Sequence, residues 1–180
     1  MNVAEKQVPF IFDQGDASEV SRPPGISTAV IGLGNHFRGD DGAGRAVIDK
    51  LAITGELPEN IHLFEDGTGN LFDAILSSKY ERVILIDAAD IKRQPGEWIC
   101  LNADRLTWKP DDKNNRCGGH RMSLANTLAL GHALEVLPKE LLIYAVQPMS
   151  LGWTGALSEP VREAVSEITE SILHEIREYS

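Results

Sequence analysis

The sequence predicts one α/β domain, built on a twisted, mostly parallel or mixed five-stranded sheet with helices on both faces. Three observations carry this expectation. Short β-rich apolar runs alternate with stretches of helical periodicity from Ser27 onward. One of those runs, Val83-Ile84-Leu85-Ile86-Asp87, is apolar at successive positions, as in a strand covered on both faces. The chain also closes on a long stretch with apolar residues three to four apart.

The elements follow in order. Thr28–Leu33 is a short apolar run ending in Gly-Leu-Gly, which predicts a buried first strand. Asp40–Leu51 predicts a helix, because Ala43, Val47 and Leu51 recur at spacing four. Ile61–Glu65 is the second strand and Leu71–Leu76 a second helix. Val83–Asp87 is the third strand, Pro95-Gly96 a turn and Glu97–Leu101 a short fourth strand. Ser123–Val136 predicts a helix with Leu124, Leu128 and Leu134 facing inward, and Leu141–Val146 a fifth strand. Ser158 is placed to cap the last helix, with Pro160 in the first turn where its missing N–H costs little. Val161, Val165, Ile168, Ile172 and Ile176 line that helix's apolar face. Residues 1–25 lack clear periodicity and end in Ser21-Arg22-Pro23-Pro24-Gly25, so they read as an N-terminal extension to a domain of residues 26–180.

Composition narrows the function. The 180 residues are 42% hydrophobic and 24% charged, as in an ordinary globular protein. No apolar run is long enough to span a bilayer, and the N-terminus does not read as a signal peptide. The net charge of −10 disfavours nucleic acid as a partner, because an acidic surface repels phosphates. Two cysteines, Cys100 and Cys117, are too few for a disulfide framework, which fits a soluble protein of the cytoplasm.

In folds of this class ligands bind beyond the carboxyl ends of strands, where the strand order reverses. The first such segment is Gly32-Leu33-Gly34-Asn35-His36-Phe37-Arg38-Gly39-Asp40-Asp41-Gly42-Ala43-Gly44. It departs from the dinucleotide spacing Gly-x-Gly-x-x-Gly, because Phe37 stands at the third glycine. Asp40 and Asp41 would repel a pyrophosphate at the helix start and suit a cation there. The plainer alternative is that one of them only caps the helix and offsets its dipole. The second segment, Glu65-Asp66-Gly67-Thr68-Gly69, again puts two acids at a strand end; solvated turn carboxylates are the alternative. The third, Gly118-Gly119-His120, brings an imidazole before a helix, where a structural histidine is the alternative. One imidazole with two carboxylates makes a site for nickel, zinc, iron or manganese, with positions left open for a substrate group.

Other chemistry is less well served. Cys117 and His120 form Cys-x-x-His without a second pair, so a structural zinc site is not indicated, and a Cys–His nucleophilic pair is a minor alternative. Neither Gly-x-Ser-x-Gly nor His-Glu-x-x-His occurs. His36 lies in the first loop; His62, His132 and His174 read as surface or packing residues. Asp87 ends the third strand near the expected cleft, as a loop-orienting or hydrogen-bonding group.

Together these segments resemble the hydrogenase maturation proteases, the endopeptidases that trim the C-terminus of nickel-iron hydrogenase large subunits. The resemblance begins with Ile31-Gly32-Leu33-Gly34-Asn35 and Gly39-Asp40-Asp41-Gly42-Ala43-Gly44. It continues through Glu65-Asp66-Gly67-Thr68, Ile86-Asp87-Ala88, Pro95-Gly96, Gly119-His120-x-Met122-Ser123-Leu124 and Val146-Gln147-Pro148. It implies a protease without a resident serine, cysteine or zinc machinery, guided by nickel already inserted in the precursor. It further implies Asp41 and His120 as metal contacts, with Gly34, Asn35, Asp40 and Asp87 nearby in support. The family's middle ligand is the leading Asp of Asp-Gly-Gly-Thr. Here the corresponding position is Glu65, with Asp66 where glycine is usual, so Glu65 is the expected third contact and Asp66 the alternate. The expected partner is the precursor of a nickel-iron hydrogenase large subunit. A non-catalytic metal-recognising chaperone of hydrogenase assembly shares the same residues, and a small nucleotide-binding domain is a more distant rival.

Overall fold

The computed structural model describes residues 26–55, 57–65, 71, 73–75, 79–103 and 124–178. Five strands form one sheet: β1 (Thr28–Gly32), β2 (Ile61–Glu65), β3 (Arg82–Ala88), β4 (Trp98–Asn102) and β5 (Glu140–Val146). Their spatial order is β2-β1-β3-β5-β4. β1 runs parallel to β2 and β3, β3 runs parallel to β5, and β4 alone pairs antiparallel, with β5. The helices are α1 (Ala43–Ile53), α2 (Leu124–Ala133) and α3 (Glu159–Glu178). Leu71 and residues 73–75 are also helical. The expected mixed sheet covered on both faces is the observed one.

Strand alternation sorts the core into two layers. Val30, Ile84, Ile86, Leu142, Tyr144 and Val146 point to one face, where Val47 and Leu51 of α1 meet Val161, Val165, Ile168 and Ile172 of α3. Ala29, Ile31, Val83, Leu85, Leu141 and Ile143 point to the other, against Leu71, Ala74, Ile75 and Leu128. Residues of β1 and β3 from Thr28 to Gly32 and from Arg82 to Ile86 are all buried, as their continuous apolar runs require. At the amino end of β3 the guanidinium of Arg82 is buried between Glu140 of β5, at 2.7 Å, and Glu175 of α3, tying the closing helix to the sheet.

Three expectations change. The helix expected from Asp40 begins as a 3-10 turn, Gly39–Gly42, and becomes α-helical only at Ala43. The helix expected to run to Val136 ends at Ala133. Leu134 therefore lies past its end and is 56% exposed rather than inward-facing, while Leu128 is buried as expected. The spacing from Leu124 to Leu134 fits a continuing helix, but Glu135 takes a positive φ of 56° and the chain turns away. Residues 1–25 and the start of the helix expected at Ser123 lie outside the described residues.

Candidate active site

The strand order places the switch point at β1, whose neighbours β2 and β3 follow it in sequence on opposite sides. Register puts Glu65, Gly32 and Ile86 side by side in one row at the carboxyl edge of the sheet, with Asp87 one residue further along β3. The loop after β1 rises from the middle of that row and carries Asp41.

Glycine makes this geometry possible. A Cβ on Gly44 would lie 2.5 Å from the Leu33 carbonyl oxygen and 2.6 Å from that of Ile86. The first turn of α1 thus rests directly on the ends of β1 and β3, and only a residue without a side chain allows that approach. At Gly34, with φ +104°, a Cβ would fall 1.8 Å from the Asp41 carbonyl oxygen, so that loop and turn are also pressed together. Asn35 then fixes the acid. Its N–H donates to Asp41 Oδ2 at 3.0 Å, while its own Oδ1 accepts from the Phe37 N–H at 3.0 Å. Gly34 and Asn35 accordingly hold Asp41 in place.

The two adjacent acids have separate fates. A 3-10 turn rotates successive residues by about 120°. Asp40 points inward, 1% exposed, and its carboxylate accepts hydrogen bonds from the N–H groups of Met149, Ser150 and Ser158 and from the Ser158 hydroxyl. Burial pushes its pKa up, but those hydrogen bonds outweigh it and hold the carboxyl below the ordinary range. Asp40 is thus the clamp of the loop before α3. Asp41 points toward the sheet edge, with the Arg38 guanidinium 3.8 Å from its Oδ2.

Glu65, the last residue of β2, is about half exposed, and the Arg45 guanidinium on α1 lies 3.1 Å from its Oε2. Asp87 is driven up to about 7, first by burial and then by the negative charge of Asp41. The carboxyl edge of the sheet therefore holds Asp41, Glu65 and Asp87 on three neighbouring chain segments, with Arg38 and Arg45 balancing the first two. Asp66, Cys117 and His120 lie outside the described residues. Among the described residues no three of His, Cys, Asp and Glu come together as a metal-holding group. The role of Arg38 had a faint trace in the sequence, since it stands three residues before Asp41; that of Arg45 had none, since its partner Glu65 lies on another element. His36 sits in the first loop as expected, its ring 3.8 Å from that of Phe37. His62 packs beside Tyr80, with centroids 5.4 Å apart.

Comparison with known proteins agrees with this architecture. A family model described as hydrogenase maturation protease matches residues 46–175. The chain is 25% identical over 158 residues to the hydrogenase expression/formation protein HupD of Rhizobium leguminosarum bv. viciae, covering 87% of this chain and 77% of that one. Among solved structures it is similar to the hydrogenase 2 maturation peptidase of the Thaumarchaeota archaeon SCGC_AB-539-E09, with a TM-score of 0.62 and 28% identity over 83% of this chain and 97% of the other. The fold also matches the maturating endopeptidase HybD of Escherichia coli, with a TM-score of 0.67 and 23% identity over 84% of this chain and 92% of that one. The chain therefore belongs to the hydrogenase maturation proteases, and it is an endopeptidase.

Proposed function

We propose that this enzyme removes the C-terminal extension of a nickel-iron hydrogenase large-subunit precursor after nickel has been inserted, with Asp41, Glu65 and His120 contacting that nickel. The metal enters as part of the substrate. The observation that supports the reading is the row at the carboxyl edge: Glu65 stands beside Gly32, and the loop leaving Gly32 carries Asp41, held by the Asn35 N–H at 3.0 Å. Carboxylate oxygens and an imidazole nitrogen suit a borderline divalent ion such as nickel.

The chain's own residues then have distinct duties. Asn35 and Gly34 orient Asp41, and Arg45 restrains Glu65. Arg38 and Arg45 neutralise two acids that would otherwise repel each other across the sheet edge. A bound nickel supplies Lewis acidity toward a carbonyl or a water. The enzyme is placed in the cytoplasm, a reducing compartment that its two cysteines in 180 residues suit.

The direct test is cleavage in vitro. Purified enzyme is mixed with precursor carrying nickel and with the same precursor lacking it, and the intact mass of the product is followed. Loss of the extension only from the nickel-loaded precursor is expected. Equal cleavage of both would refute the metal-guided reading, and cleavage of neither would favour the chaperone role.

A further inference from the structure

Scattered apolar side chains on a surface mean little, but a group of them beside a site marks a binding surface. Among the described residues seven large hydrophobics are exposed, and four of them, Phe37, Met149, Leu151 and Trp153, belong to the two segments flanking Asp41 and Asp40. Those segments are locked together. The Asp40 N–H donates to the Ser150 carbonyl at 3.0 Å, and the Asp40 carboxylate accepts from Met149 and Ser150. Around Gly39 the fit is close: a Cβ there would lie 2.9 Å from the Ser150 oxygen and 3.2 Å from that of Gly152.

The exposed side chains are therefore presented by backbone that is tied into the site. Trp153 is 78% exposed. The Arg38 guanidinium lies 5.8 Å from its ring centroid and 3.8 Å from Asp41 Oδ2. One arginine thus links the exposed indole to the candidate metal contact. Since the chain is an endopeptidase, a polypeptide must lie across the surface next to its reacting site. The charge of Arg38 is already shared with Asp41, so the surface beside it suits an apolar segment better than a strongly charged one.

We propose that Phe37, Met149, Leu151 and Trp153 dock an apolar segment of the precursor that flanks the bond to be cut, with Trp153 as the anchor. This rests on the protease reading above and adds the surface that holds the substrate beside its metal. Tryptophan is the residue type in which binding energy most often concentrates, because a large rigid ring is buried at little entropic cost.

The test uses the full chain and nickel-loaded precursor. Trp153→Ser and Leu151→Ser are compared with wild type and with Ile53→Ser, which removes an equally exposed apolar side chain at the far end of α1. Trp153→Ser is expected to raise KM by about tenfold or more, the size of a hot-spot loss. Leu151→Ser should raise it less, and Ile53→Ser should stay within about twofold of wild type. Melting temperatures check that all three variants fold. Wild-type KM in both Trp153→Ser and Leu151→Ser would overturn the proposal. So would a wild-type dimer in sedimentation that Trp153→Ser converts to monomer without changing KM, since the surface would then belong to a second copy. A wild-type enzyme that cuts no loaded precursor would sink the protease reading itself, and this proposal with it.

Discussion

Asp40 offers a sharp test of how the site is built, because its role differs so much from that of its neighbour. Its Oδ2 accepts from the Met149 N–H at 2.8 Å, the Ser150 N–H at 2.9 Å and the Ser158 hydroxyl at 2.9 Å, and its Oδ1 accepts from the Ser158 N–H at 2.6 Å. In Asp40→Asn, the amide oxygen can keep the three-bond position, but the amide nitrogen then faces the Ser158 N–H, donor to donor. One charge-assisted bond is lost, at a cost of about 2 kcal/mol. In Asp40→Ala all four donors lose their acceptor, and with water entering part of the space the cost is about 4 kcal/mol. At roughly 2–4 °C per kcal/mol for a domain of this size, the melting temperature should fall by about 4–8 °C and about 8–16 °C. The pH dependence has a definite sign. The folded pKa lies below the ordinary carboxylate range, so this stabilisation is present above that range and is lost as pH falls through the folded value. Thermal unfolding followed by circular dichroism at pH 7 and again in acid reads both effects. An Asp40→Ala protein melting within about 1 °C of wild type at pH 7 would refute the reasoning.

Three further outcomes follow from the same geometry. Gly44→Ala should push α1 off the ends of β1 and β3, since its Cβ would lie 2.5 Å from the Leu33 carbonyl oxygen. A destabilisation of about 2–3 kcal/mol in urea titration is expected, and a neutral result would mean the helix can shift freely. Arg82→Met leaves Glu140 and Glu175 facing each other without their shared cation and should cost about 3–5 kcal/mol. The double change of Glu140 and Glu175 to Gln should recover part of that loss. Asp87, whose folded pKa is raised from 3.8 to about 7, favours folding most below the unfolded value, and that contribution disappears as pH climbs through about 7. A rise of that size corresponds to at most ~4 kcal/mol, so Asp87→Asn should lose much less stability than wild type between about pH 4 and pH 8. Parallel pH profiles for the two proteins would contradict the raised folded value.

Much of this was legible in the sequence, and the parts that were not share a cause. Continuous apolar runs identify β1, β3 and β5 because those strands are buried on both sides, so local composition and tertiary environment agree. The antiparallel pairing of β4 is not written in Trp98–Asn102 itself; it depends on Trp98 lying opposite Val146 across the sheet. Asp40 and Asp41 look equivalent in the sequence, and only the rotation of a 3-10 turn makes one a buried clamp and turns the other toward Asn35 and Arg38. The partners of Asp40 are 109 to 118 residues away, beyond any local pattern. Leu134 misleads for a related reason, since its spacing fits a helix that the backbone has already left. The glycines, by contrast, announce a crowded backbone in advance: Gly34 and Gly44 both sit where a Cβ would overlap the main chain.

The most direct measurement is the intact mass of the hydrogenase large subunit in cells whose copy of this gene is wild type, Asp41→Asn or His120→Ala. Among the described residues the Asp41 carboxylate is held by the local contacts of Asn35 and Arg38, so its replacement should leave the fold intact and loss of processing would report on the site. The expected result is a trimmed subunit with wild type and a retained C-terminal extension with each variant. A fully trimmed subunit in both variants would contradict the assignment of these two residues as metal contacts.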